Sequence, residues 1–105
     1  MKNTNLYETL STRTKNKLVR IQQNIFQLYP EISELGIQVH PHQGFRGGKA
    51  GFELCFQLRS DNQQLDGIDI SCKFTKDISQ IESSSILRQF RQRYSQFVIN
   101  NKISQ

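Results

Sequence analysis

The 105-residue sequence predicts a single α+β domain in the order helix, three-stranded antiparallel meander, helix (αβββα), with both helices on one face of the sheet. Three observations carry this. In residues 52–59, Phe52, Leu54, Phe56 and Leu58 alternate with Glu53, Cys55, Gln57 and Arg59, the pattern of a strand with one buried and one polar face. Alternating stretches at 37–42 and 67–74 flank it, ready to pair on either side. The chain at both ends, 4–29 and 84–101, repeats its apolar residues at helical spacing instead. Elements with one apolar face each pack most simply as two layers, which leaves the second face of the sheet open.

The first helix is expected over 4–29, where Leu6, Leu10, Leu18, Ile21, Ile25 and Leu28 share a face widened by Val19 and Phe26. Thr4 or Asn5 can cap its start, Thr9–Thr14 is its weakest stretch, and Pro30 ends it by disfavouring helical backbone at Tyr29. A turn over 31–36 follows, with Ile32 and Leu35 filling the helix–sheet junction. In the first strand Ile37, Val39 and Pro41 point inward, and a proline marks an edge strand because it has no ladder donor. Residues 43–51 hold four glycines and read as a hairpin loop, and Asp61–Gln64 as a turn.

Face parity limits the register. It permits Val39 against Phe56, Ile37 against Leu58, Phe56 against Ile70 and Phe52 against Phe74, with Glu53 opposite Lys73 on the polar face. Ile78 and Ile81 fit a loop, a short strand or a first helical turn. In the last helix Leu87, Phe90, Tyr94, Phe97 and Val98 form the stripe, Ile86 its edge, and Ser83, Ser84 or Ser85 the cap.

At 35% apolar, the chain has enough for one core with little to spare, so a homodimer that buries further surface is a reasonable expectation. No apolar run approaches the roughly 20 residues of a membrane span, and the polar start does not resemble a secretory signal, so a cytoplasmic protein is expected. Cys55 and Cys72 fall on opposite faces of the sheet, out of disulfide reach, which predicts two free thiols.

The order helix–strand–strand–strand–helix is shared with double-stranded-RNA-binding domains and with the Alu-binding proteins of the signal-recognition particle. The likeness is one of element order. Those RNA-binding domains carry a lysine-rich signature at the start of the last helix, where this chain has Ser83-Ser84-Ser85-Ile86-Leu87-Arg88. No site residue is carried over.

A net charge of +5 favours nucleic acid or an acidic protein as partner. Within the glycine-rich loop, Arg46 and Lys49 supply charge for an anion and Phe45 a ring for stacking. The loop lacks P-loop spacing, since Lys49 is followed by Ala50 and then a strand. Arg13, Lys17 and Arg20 stack along one side of the first helix, and Arg88 and Arg91 share a flank of the last, with Arg93 on the other. Stacked like charges call for a counter-charge, though such rows are equally often plain solvated faces.

His40 and His42 project from one strand face toward Glu53 and Cys55, but two histidines with inferred neighbours are more often ordinary surface residues than a metal site. The same histidines with Glu53, Arg46 and Lys49 offer the residue types of a small nuclease, without a recognisable motif. The sequence therefore points to a non-enzymatic module, with no cofactor or metal, that engages RNA or DNA through phosphates using Phe45, Arg46, Lys49, Arg13, Lys17 and Arg20. The alternative is a protein-interaction module, an adaptor, inhibitor or homodimer, that uses the open sheet face or the edge strand bearing Pro41.

Overall fold

A computed structural model describes residues 5–42 and 51–101. It has the expected architecture: α1 (Thr12–Leu28), β1 (Ile32–His42), β2 (Gly51–Ser60), β3 (Asp69–Phe74) and α2 (Ser83–Asn101). The strands form an antiparallel sheet in the order β1-β2-β3. Leu18, Ile21 and Ile25 of α1 and Ile86, Phe90 and Tyr94 of α2 join the inward strand residues in one buried core. Phe56 sits at its centre, fully buried, its ring meeting Phe90 edge-on at 4.9 Å.

The first helix starts later than the apolar spacing implied. Ser11 is its cap, accepting the Thr14 N–H at 3.2 Å, and Tyr7–Thr9 form a separate 3-10 turn. Leu6 and Leu10 still pack on the core, from outside the helix. The segment before the turn is tied to the sheet instead. The Leu6 N–H donates to the Val39 carbonyl at 2.7 Å, and the Val39 N–H donates to Asn5 Oδ1 at 3.1 Å. Leu28, expected inside, is 44% exposed in the last turn of α1, and Val19 is also exposed.

The turn expected over 31–36 is strand from Ile32 onward. The register shifts between Ile32 and Glu34, so Ser33 is an extra residue that lets even-numbered Ile32 and odd-numbered Leu35 both face the helices. Beyond the bulge Ile37 pairs with Phe56 and Val39 with Leu54, two residues from the expected β1–β2 register. The β2–β3 register is as expected, with Phe56 opposite Ile70, Phe52 opposite Phe74 and Glu53 opposite Lys73. Gly51 has a steric reason to be glycine, because a Cβ there would lie 1.8 Å from the Phe74 carbonyl oxygen. Leu65, in the β2–β3 connection, is fully buried, a core residue that the alternation did not reveal.

The ambiguous stretch after β3 contains a 3-10 turn, Ile78–Gln80, with Ile78 buried and Asp77 capping it through the Ser79 N–H. The two helices run side by side in the same direction. Ser83 at the start of α2 shares a cleft with the first half of α1. Tyr29, just past the end of α1, packs its ring 4.6 Å from that of Tyr94. The buried Tyr94 hydroxyl donates to Glu31 Oε2 at 2.7 Å, and burial with this bond pushes its pKa well up, so it stays protonated as a structural tie.

Candidate nucleic-acid interface

Charge in this chain is sorted by element. α1 carries Arg13, Lys15, Lys17 and Arg20, and α2 carries Arg88, Arg91 and Arg93; neither helix holds any of the nine Asp and Glu. Half of the fourteen basic residues thus sit on the two helices, and all the acids lie elsewhere. Because the helices form one layer, their outer surface is a field of one sign.

The cleft between them concentrates that field. Arg13, Asn16, Lys17 and Arg20 from α1 and Ser83 from α2 line a space of about 310 Å³. On α2, Gln89 and Arg93 face β3: Gln89 Oε1 accepts the Lys73 N–H at 3.0 Å, and Arg93 shares a groove with Asp69 and Ser71. Elsewhere on α2, Ser84, Leu87, Arg88 and Arg91 lie along a second trough of about 550 Å³ whose lining comes from α2 itself. Arg13, Arg20, Arg88 and Arg91 are all exposed, and none makes an ion pair among the described residues.

Two other cations of α1 have protein partners. Lys15 pairs with Glu8 at 3.2 Å and lies 5.8 Å from the centre of the Tyr7 ring. The Lys17 amine donates to the carbonyls of Ile81 at 2.8 Å, Ile78 at 3.3 Å and Ser79 at 3.4 Å, which spends its donors on the β3–α2 connection. In the row Arg13–Lys17–Arg20, the outer two stand open to an anion and the middle one holds the fold together. Arg88 and Arg91 join them from α2. The signal that could have placed them in the site was the absence of any acid from either helical segment.

Phe45, Arg46 and Lys49 lie outside the described residues, as does the side chain of His42. His40 is half-buried on the open sheet face, its Nε2 2.9 Å from Gln38 Oε1 and its backbone opposite Glu53. Among the described residues, no group of three His, Cys, Asp or Glu comes together to hold a metal. Both thiols are free. Burial pushes Cys72 up to about 11 and raises Cys55 as well, so neither is a ready thiolate at neutral pH.

On the open face the strands alternate in sign. Glu34 stands opposite Arg59 and Glu53 opposite Lys73, and Arg59 Nε donates to Asp66 Oδ1 at 2.9 Å. The edges of the sheet are partly closed: Asn5 and Leu6 hold both backbone groups of Val39, Gln22 donates to the Leu35 carbonyl, and Gln89 takes the Lys73 N–H. Among the described residues no helix is long and apolar enough to cross a membrane. Comparison with known proteins gives the chain no relative: no family model matches it, and neither does any curated protein or solved structure.

Proposed function

We propose that this is a nucleic-acid-binding module that grips phosphates along the cleft between its two parallel helices. The observation that carries the reading is the sorting of charge: seven basic and no acidic residues on α1 and α2. A folded chain that stacks like charges on one layer is most relieved by a ligand with a repeating negative charge, and a phosphodiester backbone is one. Arg13 and Arg20 in the cleft and Arg88 and Arg91 in the trough along α2 are the contacting groups, each able to make two parallel hydrogen bonds to a phosphate. Lys17 stands behind them as the pin that fixes the β3–α2 connection against α1. Contacts of this kind position the protein on a backbone and read no sequence.

The test is fluorescence anisotropy with labelled RNA and DNA, in single- and double-stranded forms, between about 50 and about 200 mM salt. Four phosphate contacts on a duplex predict a log–log slope of roughly −3 to −4. Binding that is insensitive to salt, or no binding at the low-salt end to any of the four probes, defeats the reading. Of the alternatives weighed from sequence, recruitment of a partner strand along the Pro41 edge is the less supported, since Asn5 and Leu6 already occupy Val39 there.

A further inference from the structure

We infer that the open face of the sheet is a self-complementary dimer interface, fitted to a second copy of the same chain by a two-fold axis lying in the face and perpendicular to the strands. The inference does not rest on nucleic-acid binding, because it concerns the opposite side of the molecule.

The argument is the direction of charge along each strand. The outward row at one end of the sheet is His40, Glu53 and Lys73; at the other end Glu34 lies opposite Arg59, and Asp69, the one acid of β3, stands a row further in, opposite Gln57. Along β2 the sign runs from negative at Glu53 to positive at Arg59. Along β3 it runs the other way, from Lys73 to Asp69, and along β1 from His40 to the acidic Glu34. Two sheets packed face to face lie about 10 Å apart, with aligned strands. An axis across the strands stacks each strand on its own copy and exchanges its ends.

That operation sets Glu53 over the partner copy's arginine at position 59, and His40 over its acid at position 34. Lys73 falls about one row, roughly 7 Å, from the acid at position 69, within reach of its long stem. β2 then meets opposite charge directly, β3 meets it at one row's offset, and β1 sets the His40 ring over a carboxylate. The other aligned arrangement, with the axis along the strands, sets Glu53 over its own copy and Arg59 over its own copy. Like charges in contact across an interface repel, so the pattern selects one axis and rejects the other.

The middle of the face has the character of an interface centre. Cys55 lies between Gln38 and Ser71 with no charge in the row, and Gln57 folds its side chain over Gly36, whose Cβ position would lie 3.2 Å from Gln57 Oε1. The face is therefore flat, with one uncharged row at Cys55, a single carboxylate, Asp69, beside Gln57 in the next, and its opposite charges concentrated at Glu53 and Arg59 toward the two ends. A dimer of this form would turn the two helix layers outward on opposite sides, each cleft open.

The test is sedimentation velocity on nuclease-treated, nucleic-acid-free protein from about 1 to about 200 µM, a range that brackets a micromolar dissociation constant. A monomer–dimer equilibrium is expected. Glu53→Lys and Arg59→Glu should each weaken it at least tenfold, and the double exchange should restore it to within about threefold, because only the crosswise axis pairs these two positions. Far-UV circular dichroism confirms folding of each variant. Should either unfold, Lys73→Glu with Asp69→Lys reads the same axis. A monomer at the highest concentration overturns the inference and leaves the face to another partner. A dimer indifferent to the single exchanges, or one that the double exchange fails to restore, overturns it too.

Discussion

On the helix side, Arg13 and Arg20 stand exposed along one cleft and Arg88 and Arg91 along a second trough on α2, with no carboxylate of α1 or α2 to answer them. On the open side of the sheet, Glu53 lies opposite Lys73, Glu34 opposite Arg59, and Arg59 bonds Asp66. Both surfaces are polar, yet they differ in what they ask of a partner. The helix layer carries basic residues and no acid of its own. The sheet face has both signs in fixed order, and asks for a surface with the reverse order. Net charge alone, +5, does not separate the two; its placement does.

Removing the layer between the surfaces should abolish both. Phe56→Ala empties a fully buried site against Phe90 and is expected to cost about 3–5 kcal/mol, read by urea unfolding. Lys17→Met comes next. It removes the side-chain donor of three backbone carbonyls, one of which, that of Ile78, keeps a second donor in the Ile81 N–H, and is expected to cost about 1–3 kcal/mol of stability. Because the amine is engaged with the fold, the salt slope of nucleic-acid binding should not fall by a full phosphate contact. A drop of about 0.9 on duplex would make Lys17 a direct contact after all.

Arg13→Gln with Arg20→Gln should leave the melting temperature nearly unchanged while reducing the salt slope by nearly two contacts, about 1.4–1.8 units. If the same pair alters dimerisation instead, the two surfaces are not independent. The smallest effect expected is at the sheet end. The backbone N–H of Ser60 and the Arg59 guanidinium hold the Asp66 carboxyl below its ordinary value. A depressed carboxylate contributes stability above its unfolded pKa and loses it as pH falls through the lower, folded value. Asp66→Asn should therefore lower the melting temperature slightly at neutral pH, and the difference should vanish in the acid range below about pH 3.8. A difference that persists there would assign the effect to shape rather than charge.

The alternation in β2 was enough to fix its faces and the side of the sheet that the helices cover. It was not enough to fix the β1 register, since a slip of two residues keeps every side chain on its face, and so Val39 met Leu54 rather than Phe56. The bulge at Ser33 was hidden for a related reason. Ile32 is out of phase with Leu35, Ile37 and Val39, and only an inserted residue reconciles them. At the other end Leu6 and Leu10 kept helical spacing with Leu18, though Ser11 breaks the helix between them. Lys17 was the least legible of the site residues. Its spacing matches Arg13 and Arg20, but the carbonyls it meets lie 61 to 64 residues away along the chain.

The parallel course of α1 and α2 has a consequence for folding. Each helix carries a partial positive charge at its N-terminus, and here both N-termini lie at the same end of the layer. Arg13 stands in the first turn of α1, which holds no acid, while Glu82 directly precedes α2 and its carbonyl accepts the Ser85 and Ile86 N–H groups. Folding thus brings Arg13 beside the positive end of its own helix, with Glu82 at the start of α2 and Glu8 on Lys15 offsetting part of that charge. A polyanion lying along the cleft would offset the rest, so the ligand that best fits the surface is also one that makes the fold easier to keep.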